Sequence, residues 1–232
     1  MAYKNGPHDR IDDPLYNSRL IKNYVEYLEK FHPNVNIDSI LNRSGITNYE
    51  LEDQGHWFTQ NEVDHFHEIL LDNIGIPNIS RLVGRYSASS KATGVIKQLA
   101  LGFINPQIAY LMLKKQSPSV SRGFDVETKI LAENKVEVIV TQKPGVDEKP
   151  YQCENRIGFW EAIAKIFTEN FAKVEHPSCF HKGEDCCRYI ISWILAPHLT
   201  WKRVGSYSLL LGILVSLPLF FILPIIHWVI LI

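Results

Sequence analysis

Polar and apolar positions along the chain follow two different periods. Through the first half, apolar residues recur every three or four positions, the signature of an amphipathic helix. Leu20, Ile21, Tyr24, Leu28 and Phe31 form one such stripe and predict a helix over 16–31. A shorter helix is expected over 37–41, ending near Gly45. Thr47-Asn48-Tyr49-Glu50 and Thr59-Gln60-Asn61-Glu62 each place a hydroxyl three residues before a glutamate, so a reciprocally capped helix should begin at both, the second running to about 73. Further helices are expected over 77–86 and 92–103. Another should reach about 115, with Asn105 as its cap and Pro106 as its first helical residue.

The period then shortens. Strands are predicted over 126–132 and 136–141, joined by Glu133-Asn134 and closed off by Lys143-Pro144-Gly145. Phe159, Ile163, Ile166, Phe167 and Phe171 predict a helix over 157–171, with Glu161 and Glu169 on its polar side. A weaker strand over 172–175 and a stronger one over 188–193 follow. A helical half followed by a small antiparallel sheet and one long helix is an α+β arrangement. The expected division is a leader over 1–14, a ligand-sensing domain over 15–197, a connector over 198–206 and a final segment over 207–232.

That final segment carries no fully charged residue and is mostly Leu, Ile, Val and Phe. About 20 such residues suffice to cross a membrane as a helix. Lys202 and Arg203 precede it, which favours the cytoplasmic side for everything before. Trp201, Tyr207 and Trp228 suit the interfaces, and Pro218 and Pro224 would kink the span. The expectation is a transmembrane helix over 207–232, anchoring a cytoplasmic domain to the cytoplasmic membrane, in a chain that stops at or just past its first span. A buried core helix is the competing reading. The polar first ten residues contain no apolar export signal.

Charge and motifs narrow the function. Among 232 residues, 24 basic and 25 acidic side chains leave a net charge of -1, which argues against a nucleic-acid partner. Neither a glycine-rich phosphate loop nor a nucleophile elbow occurs in the sequence. His65 and His67, two residues apart, face different sides of a helix and read as satisfied or solvated rather than as a metal pair. Arg85, among small residues, is an anion-site candidate set against an ordinary surface arginine.

The cysteines are the chemistry-bearing residues. Cys153, Cys179, Cys186 and Cys187 all lie in the second half. An oxidising compartment would pair them as disulfides, whereas reduced, clustered thiols more often bind metal. His176 and Cys179 are three apart, and Gly183 lets the chain double back, so Cys186 or Cys187 can return to the same centre with Cys153. His181 could stand in for His176. Buried cysteines acting as small hydrophobes are the bland alternative.

The segment 153–193 resembles the vinyl-4-reductase domain, a family that includes phenol-responsive zinc-containing sensor domains of bacterial aromatic-catabolism activators and is distantly similar in fold to TRAPP vesicle-tethering subunits. The resemblance rests on a ligand order of Cys, an acidic residue twenty-three positions on, Cys three further and Cys eight further. Cys153, His176, Cys179 and Cys187 reproduce those intervals, with histidine in the acidic place. The resemblance implies structural zinc on these four residues. Asp53-Gln54-Gly55-His56-Trp57-Phe58-Thr59 and Cys153-Glu154-Asn155-Arg156-Ile157-Gly158-Phe159 also resemble the N-terminal region of bacterial membrane sensor histidine kinases and nucleotide cyclases. It implies a small apolar ligand in a cavity with Phe103, Tyr110, Phe159 and Trp160 as candidate lining, a homodimer, and no catalysis by this chain. A structural tethering module is the alternative function, and an accessory role in tetrapyrrole reduction a further one.

Overall fold

The computed structural model describes residues 12–88, 105–195, 207–208, 211–212 and 214–215. The chain divides into two compact units, Met1–Ile194 and Leu195–Ile232. In the first, α1 (Arg19–Phe31), α2 (Ile37–Ser44), α3 (Asn48–Glu52), α4 (Gln60–Ile74) and α5 (Ile79–Ser87) build the helical half. Both expected capping boxes are present. Thr47 accepts from the Glu50 N–H and Thr59 from the Glu62 N–H, and each glutamate accepts from the threonine backbone in return. α4 stops at Gly75, whose φ of 58° is the left-handed conformation that a glycine adopts without strain.

Two short strands, β1 (Tyr16–Asn17) and β2 (Trp57–Phe58), pair antiparallel and tie the start of α1 to the start of α4. Tyr16 is therefore strand rather than the first helical residue. Ile21, Leu28, Ile40, Phe58, Phe66 and Leu70 are among the side chains that fill the core of this half.

After α6 (Pro106–Leu111), capped by Asn105 as expected, and α7 (Leu113–Gln116), the second half begins. Its four-stranded antiparallel sheet runs in the order β3–β4–β6–β5, with β3 (Phe124–Ala132), β4 (Lys135–Gln142), β5 (Lys173–Ser178) and β6 (Cys187–Ser192). Alternation along β4 and β6 buries Val136, Val138, Val140, Cys187, Tyr189 and Ile191. The long helix α8 spans Pro150–Thr168, seven residues earlier at its start than the apolar stripe indicates. Its true start is chemical: Pro150 at the first position, and Gln152 accepting from the Lys149 N–H at 2.6 Å. Trp160 of α8 meets Tyr189 of β6 edge-on at 4.3 Å.

The architecture is α+β with a small antiparallel sheet. The helix expected over 92–103 lies outside the described residues, and so does most of the span expected over 207–232. Tyr207, Ser208, Leu211, Gly212, Leu214 and Val215 are helical and exposed. Among the described residues, no helix is long and apolar enough to cross a membrane.

Candidate functional site

A cavity of about 1160 Å³ is lined by α1, the end of α5, the stretch from α7 into β3, and the first three turns of α8. Phe159 and Trp160, two of the candidate lining residues, lie on its wall. Tyr110 does not. It is fully buried, donates its hydroxyl to the Trp160 carbonyl at 2.7 Å and stacks on Trp193 at 5.4 Å, so it is a core residue. Phe103 lies outside the described residues.

One wall of the cavity is polar. Arg156, Glu148 and Gln152 are all buried and all line it. Arg156 donates through Nη2 to Glu148 Oε2, and its guanidinium lies over the Phe124 ring at 4.4 Å. Tyr16 donates to Gln60 Oε1 at 2.5 Å, while Gln60 Nε2 donates to Asp64 Oδ1 at 2.8 Å and to Gln152 Oε1 at 3.2 Å. Glu148 Oε1 and Gln152 Nε2 have no hydrogen-bond partner. The sequence signal was available, since polar residues open α8 at Glu148, Lys149 and Gln152, but a helix start normally explains such residues by itself.

Beside the cavity, α5 and α8 cross. Glu161, expected on a polar face, is only 4% exposed. Arg81 donates to it through Nη2 and Nε, and Arg85 through Nε at 2.6 Å. Burial alone would raise the Glu161 carboxyl, but the two guanidinium groups prevail and hold it below the usual carboxylate range. Arg85, the anion-site candidate, thus has its anion inside the protein.

The cysteine cluster is a second arrangement. The sulfurs of Cys153, Cys179 and Cys187 lie within 4.8 Å of one another, all buried, in an arrangement able to hold a metal ion. Cys153 Sγ and Cys187 Sγ are 3.8 Å apart, and the Phe180 N–H donates to Cys187 Sγ at 3.4 Å. The Cys153 thiol, the His176 ring and that N–H hold the Cys187 thiol well below its usual range against the opposing effect of burial, and the same pairing together with burial pushes Cys153 up. His176 stacks on Tyr189 at 4.1 Å, and its Nε2 is buried without a hydrogen-bond partner. Cys186 is half-buried. Three of the four expected donors therefore converge in one metal-sized cluster.

No family model matches the sequence, and no curated protein matches it. Solved structures do. An oxygen-binding H-NOX domain related to soluble guanylate cyclases, in its oxygen complex, superposes with a TM-score of 0.60 at 15% identity, covering 78% of this chain and 96% of that one. An H-NOX protein from S. oneidensis in the Fe(II)NO state gives 0.56 at 14% identity over 76% of this chain and 98% of that one. A third structure, described through haem redox potential and porphyrin distortion, gives 0.59 at 16% identity over 76% and 99%. At these identities the likeness establishes the fold.

Two expectations are corrected by these findings. The fold neighbours are H-NOX domains rather than vinyl-4-reductase-like, zinc-containing phenol sensors. Structural zinc as the cofactor falls with that resemblance, because the neighbours are described through haem.

Haem iron takes an axial His, Cys, Met or Tyr. No His, Cys or Met lines the cavity among the described residues. The sequence has no histidine at all between His67 and His176. The four tyrosines among the described wall residues are engaged elsewhere: Tyr16 with Gln60, Tyr24 with Ser80 at 2.9 Å, Tyr86 with Glu26 at 3.3 Å and Tyr151 with Asp64 at 2.7 Å. Burial opposes the phenolate in each, pushing Tyr24 up to about 12 and Tyr16 and Tyr151 higher still. The residues present do not fit haem.

Proposed function

We propose that this domain senses a small molecule, which enters the cavity directly rather than through a haem iron. The observation that carries the reading is the cavity of about 1160 Å³ walled by both halves of the fold. Its size and mixed apolar and polar lining suit a drug-sized organic ligand. The H-NOX-like fold supports a sensing role, since one neighbour is described as an oxygen-binding domain related to guanylate cyclases.

The helix α8 is the element through which occupancy is transmitted. Phe159 and Trp160 line the cavity, Gly158 lies against α5, and Cys153 lies against Cys187 of β6. A ligand that favours one seating of α8 biases the sheet and the helical half together, by as much as its affinity differs between the two seatings. On this reading the domain is a cytoplasmic input module of a membrane-anchored signalling protein, with 207–232 as the anchor. The charge-free apolar run after Lys202 and Arg203 supports that placement.

The test is a thermal-shift screen of small organic molecules against the intact chain. A binder selective for the folded state raises stability by about 2.7 kcal/mol at a hundredfold excess over its dissociation constant. Hits whose shift is lost in Phe159→Ala support the reading. A hit recovered chemically altered would make the domain an enzyme instead.

A further inference from the structure

One end of the four-stranded sheet gathers exposed apolar side chains. Ala132, Lys135, Ser192 and Lys173 form one cross-strand row over all four strands, so the residues around that row share one end of the sheet. Strands lie about 4.8 Å apart, so the row spans about 14 Å. A pair of hydrogen bonds closes its middle: the Trp193 N–H donates to the Asn134 carbonyl at 3.1 Å, and Asn134 Nδ2 donates back to the Trp193 carbonyl at 2.8 Å. Around this seam Ile130 and Leu131 are each 50% exposed, Phe171 43% and Ile194 68%. Leu131 lies in the register shift between Ile130 and Ala132, and there two consecutive apolar side chains are exposed instead of alternating. A single exposed apolar residue is ordinary, but four at one end of a sheet mark a surface that something covers. The charged residues of the row itself are both basic, Lys135 and Lys173, the latter paired with Glu175 at 2.6 Å. Lys165 and Arg85 stand over the Phe171 ring at 4.3 and 4.7 Å, and Glu133 is the acid at the turn.

We propose that this end of the sheet seats the domain on the surface of a lipid bilayer, with Ile130, Leu131, Phe171 and Ile194 entering among the headgroups. The proposal rests on the reading of 207–232 as the anchor. Ile194 is where the chain leaves the sheet, and the twelve residues 195–206 reach at most about 40 Å even when fully extended. The sheet end is therefore the part of the domain whose distance from the anchor is most tightly limited. A tether of that length holds it at an effective concentration of about a millimolar. Contacts too weak to bring a free protein to a membrane are then populated. The chemistry suits a bilayer surface: aliphatic and phenyl groups enter the boundary between headgroups and acyl chains, while lysine ammonium groups stay with the phosphates. A second copy fits the patch less well, because a two-fold contact would set Lys135 and Lys173 of one protomer against the same residues of its partner.

The experiment uses the full chain reconstituted in vesicles of phosphatidylcholine and phosphatidylglycerol, with resistance to alkaline extraction as the check on the anchor. A photoactivatable diazirine analogue of leucine replaces Leu131 or, as a control, Phe180, which is 40% exposed at the opposite end of the sheet between β5 and β6. On illumination, lipid adducts at position 131 should exceed those at position 180 about tenfold. Phe171→Glu together with Ile194→Glu places two carboxylates on the patch and should bring the yield at 131 down to that at 180. Both side chains are exposed, so the melting temperature of this variant should not change, which separates lost docking from lost folding. If the variant does not fold, the comparison of the two positions in the otherwise natural chain still decides. Equal lipid adducts at 131 and 180 in an extraction-resistant chain overturn the proposal and leave the anchor standing. Adducts at 131 to a second protein chain in place of lipid overturn it in favour of a dimer contact. Release of the chain by alkali overturns the anchor reading and the proposal with it.

Discussion

Gly84 on α5 and Gly158 on α8 let two helices cross backbone against backbone. A Cβ on Gly84 would stand 2.0 Å from the Asn155 carbonyl oxygen, and one on Gly158 would stand 2.0 Å from the Arg81 carbonyl oxygen. Neither glycine has a positive φ, so close approach is the reason for both. Alanine is the better helix former by about 1 kcal/mol, yet Gly84→Ala and Gly158→Ala should each destabilise by roughly 2–4 kcal/mol, because backbone must move to admit the methyl group. Urea unfolding checks this, and a gain in stability in either variant would show that the helices do not cross so closely.

The same crossing is held at its side by Glu161 between Arg81 and Arg85. Glu161→Gln removes the charge that two guanidinium groups share. The expected loss is about 2 kcal/mol, less than for a fully buried pair, since both arginines remain about a third exposed. The exposed Lys173–Glu175 pair is the control, and Lys173→Ala should leave the melting temperature unchanged.

The cysteines should separate by reactivity. Cys153, Cys179 and Cys187 are buried, and Cys186 is half-buried. Under native, metal-free, reducing conditions a maleimide should label one thiol quickly and the other three only on unfolding. Mass spectrometry locates the label, and fast labelling of Cys153 would contradict its burial between α8 and β6.

Local chemistry was legible in the sequence wherever it is written within a few residues. The capping boxes at Thr47 and Thr59, the Asn105-Pro106 start and the Glu133-Asn134 turn all form as read. What the sequence hid is long-range. Tyr16 pairs with Phe58 across forty-two positions, so a helical stripe absorbed a residue that belongs to a strand. Gly84 and Gly158 have no local reason to be glycine. Glu161 reads as polar surface until the guanidinium groups from α5 are seen beside it. The intervals joining Cys153, His176, Cys179 and Cys187 suggested one four-donor centre, of which three sulfurs gather. Glu148 and Gln152 were invisible as cavity wall because a helix start explains them both.

His67 should make the domain acid-sensitive in a defined window. It is buried against Tyr151, ring on ring at 3.7 Å, and its Nε2 lies 2.9 Å from Ser80 Oγ. Ser80 Oγ also accepts from the Tyr24 hydroxyl at 2.9 Å, so its own proton is free to go to His67 Nε2, which suits a neutral ring. Burial pushes the His67 pKa down to about 4. The unfolded chain, with an ordinary histidine near 6.5, therefore binds more protons between those values. Stability from this group is complete above about pH 6.5 and is lost as pH falls toward 4, by roughly 2–3 kcal/mol at pH 4.5. His67→Gln keeps an acceptor for Ser80 and cannot take up a proton. Urea unfolding at pH 7 and pH 4.5 should show the acid loss in this variant smaller than in the natural sequence by about that amount. Equal losses in the two proteins would mean that His67 is not the neutral, buried ring described, and that the acid response belongs to carboxylates such as Glu161.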